Sequence, residues 1–394
     1  MKKLMILGAG IYQVPLIKAA QRMGIYTIVT SIPGNYPGFE IADKVYYENT
    51  VDYEAILKIA REEKIDGIVT CGTDVAIITV GKVCDELGLK GLSAEAAEIA
   101  TNKIKMKEAY MAEGVRTAKF CRIAVDDLEY ADKLQDFEFP MIFKAVDSSG
   151  SRGITRVDSI EEFEQARANA LAVTRAEEFI VEEFIVGDEF GAQAFVQDGK
   201  VEFILPHGDY VHTNGIGIPI GHYAPFDSET IDEQDVRETL TAAIKAMKLD
   251  NCAINADFIA CNGKTYVLEL GGRAGGTCLV ELVSIYYDFD YYEKIINVAL
   301  GEKVSFDSTS NNPNASTLLF SEKDGVIKSQ TNENPENPNI VEVQFDRKIG
   351  DKVHAFKIGP HRIGHIIAKG ETLDEAVSTL NEAKKHVNIV IEAE

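Results

Sequence analysis

Apolar positions along this chain recur in two periods, and the switches between them mark its elements. Lys3–Gly8 is a short apolar run that breaks into Gly8-Ala9-Gly10. Helix-period residues continue to about Met23, and a second strand follows at Tyr26–Thr30, the start of a βαβ unit. Asp52–Glu63 reads as a helix, Asp66–Thr70 as a strand and Thr73–Leu87 as a helix. The pattern to about residue 100 is therefore a small doubly wound domain. Gly72-Thr73-Asp74 sits at the C-terminal end of its strand, the edge where open parallel sheets bind ligands. Asp74 reads either as a substrate contact or as a helix N-cap. The Gly8–Gly10 turn presents backbone N–H groups and a helix N-terminus, which suits an anion or simply a tight turn. The dinucleotide fingerprint needs a third glycine where Gln13 stands, and the second strand ends Val29-Thr30-Ser31 without an acidic residue. NAD is therefore disfavoured.

Thr101-Asn102 caps a helix that carries Lys103 and Lys107 and ends at Gly114; lysines so placed commonly form a solvated face. After a strand and a helix around Leu128–Leu134 comes FPMIFKAVDSSGSRGITRV, residues 139–157: a strand holding Lys144, a small-residue loop at Asp147–Gly153 and a returning strand. Serine and glycine leave such a backbone free to fold over phosphates, and Lys144 could reach them as a point charge. The same pattern also fits a plain hairpin tip. It is no P-loop, because no Gly-Lys-Ser/Thr opens a helix after it. Phe179–Val181 is a strand, followed by Glu182-Glu183-Phe184-Ile185 and Gly187-Asp188-Glu189, with strand continuing through Phe195. The segment LPHGDYVHTNGIGIPIGHY holds His207, His212 and His222, and its Gly215 and Gly217 predict a loop able to gate a site. With no acidic or cysteine partner at fixed spacing, a histidine metal site is not expected.

Glu229–Met247 predicts a helix that leads into Asn251–Thr277, two apolar runs joined at Asn262-Gly263. This is a tight hairpin with Asp257 on one strand and Glu269 on its partner. Two carboxylates at cross-strand positions either share a hard cation such as Mg²⁺ with substrate phosphates or face water. Gly271, Gly272 and Arg273 follow directly. Tyr286–Leu300 predicts a single last helix, Asp307–Asn314 a linker and Thr331–Asn339 a loop. Strands at Ala315–Phe320, Ile340–Gln344, Gly364–Ala368 and Val387–Ile391, with a helix at Leu373–Lys385, give a small α+β piece.

Composition narrows the class without naming the chemistry. The 394 residues suffice for two or three domains, and a 45% hydrophobic, 26% charged chain fits a globular protein. A formal net charge of −23 argues against nucleic acid as a partner. The six cysteines show neither CxxC pairs nor zinc spacing and read as reduced intracellular thiols. Leu4–Leu7 is too short for a signal peptide or a spanning helix, so the expectation is a cytoplasmic enzyme with no membrane partner.

In their order, these features resemble the ATP-grasp superfamily of the carboxylate–amine ligase kind. The resemblance implies an α/β and α+β architecture, with an N-terminal doubly wound pre-ATP-grasp domain over 1–100. An ATP-grasp domain would follow over 101–305, with a lid at about 115–185, and a small C-terminal α+β domain over 306–394. It implies ATP and Mg²⁺ (or Mn²⁺) as cofactors. Lys103 and Lys144 match the family's phosphate-contacting lysines, and the loop Ser148, Ser149, Gly150, Ser151 and Gly153 matches the one that closes over the phosphates. Glu182, Phe184 and Ile185 would meet the adenine and Glu189 the ribose. Asp257 and Glu269 match the metal ligands, and Arg273 the arginine of a Glu-x-Asn-Pro-Arg motif. The acid substrate would lie among Gly10, Ile11, Asp74 and Arg273, with Lys144, Glu269 and Arg273 carrying catalysis. Gly271 stands where the family places a metal-binding Asn, and Asn255 is a candidate replacement. The implied reaction is ADP-forming ligation of a small carboxylic acid, an amino acid being one candidate, to an amine through an acyl phosphate, and a homodimer is compatible with it. The alternatives are a bicarbonate-phosphorylating carboxylase or carbamoyl-phosphate-type enzyme, and a non-catalytic nucleotide-binding regulator.

Overall fold

The computed structural model describes residues 1–148, 153–212, 217–226, 228 and 230–393. The N-terminal sheet is parallel, with strands in the order Lys44–Tyr47, Tyr26–Ser31, Lys3–Leu7 and Gly67–Val69. Leu4 pairs with both Thr27 and Gly67. Its two inner strands are buried on both faces, which is why they read as unbroken apolar runs. The helix expected from Thr73 begins only at Ile77, after an Ala76 N-cap that makes no side-chain cap. Asp74, the residue that could have capped it, is engaged elsewhere.

A second, antiparallel sheet runs Phe120–Ala124, Glu178–Glu183, Met141–Ala145, Ile154–Val157. Phe143, Phe163, Phe179 and Tyr130 form its core under the helix Phe163–Leu171. The helix expected around Leu128–Leu134 is a short 3-10 stretch, Tyr130–Leu134.

The largest sheet has eight strands, in the order Lys264–Gly271, Cys252–Cys261, Asp188–Gln197, Lys200–His212, Ile218–Ala224, Asn314–Leu319, Gly364–Lys369 and Ile340–Phe345. Three strands from beyond residue 306 thus extend this sheet, while Lys352–Val353, Gly325–Asn332 and Val387–Glu392 form a separate three-stranded one. The hairpin turn has Asn262 at φ 52° and Gly263 at φ 69°, the two left-handed residues that a type I′ turn requires.

Two expectations are corrected. The histidine-bearing segment is mostly strand: Asp209 pairs with His222 and His212 with Ile218, so alternation outweighs the glycines. Gly217 lies at the start of the return strand, and Gly215 falls outside the described residues. Tyr286–Leu300 is two helices, Leu279–Tyr287 and Tyr291–Ala299. Asp288 ends the first in the left-handed region at φ 56°, and the Asp290 carboxylate caps the second by accepting the Glu293 N–H at 3.1 Å.

Tyr12 ties the regions together. A Cβ built on Gly359 would lie 1.9 Å from its hydroxyl, one on Gly72 would lie 2.6 Å from its Cβ, and the Arg362 guanidinium stands 5.4 Å from its ring centre. No helix among the described residues is long and apolar enough to cross a membrane.

Asp290→Ala removes a cap and should cost about 1 kcal/mol, lowering the thermal unfolding midpoint. Asp290→Asn, which can still accept the N–H, should stay close to the parent protein.

Candidate active site

Nearly every charged residue singled out in the sequence converges on one cleft between the eight-stranded sheet and the antiparallel four-stranded sheet. Asn102 caps the helix Lys103–Ala112, its side chain accepting from the Ile104 and Lys105 N–H groups. This places Lys103 at the helix start, where its Nζ donates to Glu269 Oε1 at 3.0 Å and to the Ser148 carbonyl at 2.8 Å. Burial works against that ammonium, but Glu269, Asp74 and Glu182 hold its pKa above the ordinary value.

One turn later on the same helix is Lys107, 1% exposed. Its Nζ lies 3.3 Å from Glu182 Oε2 and contacts Thr117 Oγ1. Lys144, from the facing sheet, donates to the same Glu182 oxygen at 2.9 Å. Burial pushes Lys107 down to about 8. Burial also opposes the Glu182 charge, yet Lys107 and Lys144 hold that carboxyl at about 2. Two ammonium groups on one carboxylate leave a positive excess in a buried place, which is what a phosphate chain needs. The solvated-face reading of Lys107 is therefore overturned, and its i,i+4 spacing from Lys103 was the signal that could have found it.

Glu182, expected at the adenine, spends Oε2 on the lysines, while its buried Oε1 finds no partner among the described residues. Phe184 donates its N–H to the Pro140 carbonyl at 3.0 Å, and its ring lies 4.7 Å from the Arg156 guanidinium. Ile185 continues this connection toward Glu189, where burial and the Asp209 charge raise the carboxyl pKa. Ser149, Gly150 and Ser151 lie outside the described residues. Gly153, at φ 70°, opens the return strand, and its carbonyl accepts from Ala145 N–H at 3.0 Å.

Asp257 and Glu269 are register partners on the hairpin, as expected. Burial first, then Glu269 and Asp209, push the Asp257 carboxyl up to about 8. Lys103 holds Glu269, while Asp257 stays protonation-prone beside it; a donor set of carboxylate oxygens beside a lysine group suits Mg²⁺. Asn255, the candidate replacement ligand, lies two residues before Asp257, and its Oδ1 accepts from Gln193 Nε2 at 2.7 Å.

At the acid-binding edge, Arg273 donates Nε to Asp74 Oδ1 at 2.8 Å and Nη2 to Asp74 Oδ2 at 2.9 Å. Asp74 is thus neither a cap nor free, and the guanidinium fork expected to grip a substrate carboxylate grips Asp74. Gly10 N–H donates to Gln13 Oε1 at 2.9 Å, so the glycine turn is closed from within by the residue that replaces the third glycine. Ile11 follows in that turn, half-buried.

One further cluster was not expected. Asp209 Oδ1 lies 3.0 Å from His207 Nδ1 and 2.6 Å from His222 Nδ1, all three side chains on the sheet. A built Cβ on Gly191 would strike the His207 ring at 2.2 Å, so glycine there makes its room. Sequence spacing could not show this, because the acid partner of His222 lies across a strand pair.

Comparison with known proteins places the architecture. A family profile described as "ATP-grasp domain" matches residues 137–281, and one described as "L-amino acid ligase C-terminal domain 2" matches residues 317–392. A crystal structure described as phosphoribosylglycinamide synthetase from Anaerococcus prevotii superposes with a TM-score of 0.85 at 34% identity, covering 99% of this chain and 100% of that one. Alanine–anticapsin ligase of Bacillus subtilis is 27% identical over 290 residues, 66% of this chain; the match spans 61% of that protein's length. The biotin carboxylase domain of Hydrogenobacter thermophilus 2-oxoglutarate carboxylase, solved as a dimer with MgADP and bicarbonate, shares the fold at TM-score 0.82 and 19% identity, covering 99% of this chain and 91% of that one.

Asp257 gives a pH test in chelator. Its folded pKa of about 8 lies above the unfolded value near 4, so the folded chain holds the extra proton. That contribution is complete below about pH 4 and is lost as pH rises through about 8. Asp257→Asn should therefore melt higher than the parent at about pH 8 without metal, by at least about 2 °C. Added Mg²⁺ should raise the midpoint of the parent alone.

Proposed function

The chain belongs to the ATP-grasp superfamily, and on that premise we propose that it is an ATP-dependent, ADP-forming ligase. It joins a small carboxylic acid, an amino acid in the leading form of this reading, to an amine through an acyl phosphate. The observation that carries the reading is the buried charge pattern: Lys107 and Lys144 on Glu182, Lys103 bridging Ser148 and Glu269, and Asp257 facing Glu269. A non-catalytic regulator needs the lysines to hold nucleotide. It does not need the acidic pair Asp257 and Glu269 set one lysine away from them.

A carboxylate is a poor electrophile, and moving a phosphoryl group onto it demands charge neutralisation more than covalent help. Lys103, Lys107 and Lys144 would bind the phosphate chain and hold its inner phosphates, which leaves the terminal group toward Glu269 and Arg273. Asp257 and Glu269 would hold Mg²⁺ (or Mn²⁺), which would neutralise the negative charge of the phosphate chain. Phe184, Ile185 and Glu189 would cradle adenine and ribose. Ser148 and Gly153 flank the segment that would exclude water from the acyl phosphate. The acid would sit between the Gly10–Ile11 turn and the Arg273 guanidinium, with Asp74 orienting that group. The three-part division at about residues 100 and 305 follows the same reading, as does a cytoplasmic setting.

Two of the matches support amino-acid chemistry, the profile over residues 317–392 and alanine–anticapsin ligase, while the phosphoribosylglycinamide synthetase structure points to a different amine and acid. A carboxylase that phosphorylates bicarbonate is the second reading, favoured by the shared fold of the biotin carboxylase domain.

Lys144→Ala should weaken nucleotide binding or slow phosphoryl transfer at least about tenfold, because a charge-assisted contact is worth about 1.5–3 kcal/mol. Unchanged kinetics would remove Lys144 from the site. Glu269→Gln should lose nearly all turnover. Acid carrying ¹⁸O in its carboxylate should pass label to the released phosphate, read by mass spectrometry; label in AMP would refute the acyl-phosphate route.

A further inference from the structure

The trio His207, Asp209 and His222 is not used by the proposed nucleotide and Mg²⁺ sites, yet it shares a sheet face with Asp257 and Glu269. In antiparallel pairing, register partners project to the same side, and so do residues two apart on one strand. Asp257 pairs with Glu269 and with Gly191, Gly191 with His207, and Asp209 with His222. Neighbouring strands stand about 4.8 Å apart, so the His207 Cα lies roughly 10 Å from that of Asp257 across a glycine that leaves the surface between them low. The Asp209 charge is felt at both Asp257 and Glu189.

A chain of hydrogen bonds fixes which ring nitrogens carry protons. The backbone N–H of Gly275 donates to Gln193 Oε1 at 3.0 Å, which sets the amide orientation. Its Nε2 then donates to Asn255 Oδ1 at 2.7 Å and faces His207 Nε2 at 3.4 Å. A ring nitrogen facing a donor must be the lone pair, so His207 carries its proton on Nδ1 and gives it to Asp209. Burial keeps His207 neutral, its pKa below the ordinary value. Burial opposes the Asp209 charge, but His222 and His207 hold that carboxyl well below the usual range. Donating from Nδ1 to the same Asp209 oxygen, His222 turns out a bare Nε2, buried and without a partner among the described residues. The His222 side chain is 3% exposed. The three ligand atoms lie within 4.8 Å of one another, close enough for a metal ion. Protons on both Nδ1 atoms pointing at one carboxylate oxygen make the trio a hydrogen-bonded relay instead.

We propose that His222 Nε2 is the base that takes a proton from the attacking amine, with Asp209 and His207 as positioning residues. This rests on the ligase reading and completes its second half. The ammonium gives one proton to Nε2, and the freed nitrogen lone pair forms the C–N bond to the acyl carbon. The C–O bond to phosphate breaks with its electron pair, and the second nitrogen proton leaves with the phosphate. Asp209, already ionised, stabilises the imidazolium so formed.

The test uses the full chain with ATP, Mg²⁺ and a mixture of the protein amino acids as both acid and amine. Three quantities are read: exchange of the β–γ bridging oxygen of ATP, dipeptide by mass spectrometry, and hydroxamate when hydroxylamine is added. Hydroxylamine is unprotonated at neutral pH and needs no base. His222→Gln should lose dipeptide about 100-fold or more. It should keep exchange and hydroxamate close to the parent, which also shows that the variant folds. Asp209→Asn should lose dipeptide by a smaller factor with the same selectivity. Loss of exchange, dipeptide and hydroxamate together, or an unchanged dipeptide rate, would overturn the assignment of His222. Absence of exchange and product in the parent protein would overturn the amino-acid ligase reading itself, and this proposal with it.

Discussion

A charge taken out of water has to meet its opposite, and the cleft of this protein is organised around that demand. Lys103, Lys107 and Lys144 are all buried or nearly so, and the chain supplies them with Glu182 and Glu269. Glu182 serves two lysines and Glu269 serves one while also facing Asp257. Every group is held, but none is held by a partner reserved for it. Such a set is stable enough to fold and still prefers a polyanion at the lysines and a divalent cation at the acids. The same logic places its components on different elements: a helix start, a facing sheet and a hairpin. Only where those elements meet does the charge close, so the cleft and the tertiary structure depend on one another.

The eight-stranded sheet gives that cleft its floor. Antiparallel register lines up Glu269, Asp257, Gly191 and His207 on one face, while Phe190, Phe258 and Ala192 pack on the core side. Glycine at 191 is what lets the row continue, since a side chain there would strike the His207 ring. The buried polar line from Gly275 through Gln193 to His207, Asp209 and His222 then runs along the floor and ends at His222 Nε2, which has no partner among the described residues. Hydrogen bonds within such a buried line fix orientations that exposed side chains would sample freely.

Much of this was legible in the sequence wherever the information is local. The Asn-Gly turn marked the hairpin, whereas the pairing of Asp257 with Glu269 also needs a register shift between Asp257 and Phe258 that the turn does not show. The apolar runs gave the parallel sheet, and Asn102 announced the helix of Lys103. What depended on tertiary contact was not legible. Lys107 looks like any surface lysine until Glu182 arrives from another sheet. Asp209 becomes the partner of His222 only through cross-strand register, thirteen residues away. The apolar stretch after Tyr286 gives no sign that Asp288 will turn left-handed and split it. The glycines around residue 215 read as a loop, because periodicity of two is hard to see through Pro and Gly.

The departure at residue 271 finds its physical account in the same constraint. A Cβ built on Gly271 would lie 3.3 Å from Asp74 Oδ1 and 3.7 Å from the Arg273 guanidinium carbon. The space that a motif Asn would fill is thus bordered by a carboxylate that arrives from the N-terminal sheet. A longer side chain at 271 would crowd the Asp74–Arg273 pair, whose two parallel hydrogen bonds need both groups in plane. Glycine at 271 therefore leaves the Asp74–Arg273 pair its room. With no side chain at 271, the Asp74 carboxylate pins Arg273 through Nε and Nη2, and Nη1 donates to the Ala274 carbonyl at 3.4 Å. Arg273 is thus positioned from the edge of the N-terminal sheet, and its guanidinium holds this place only while that sheet is docked.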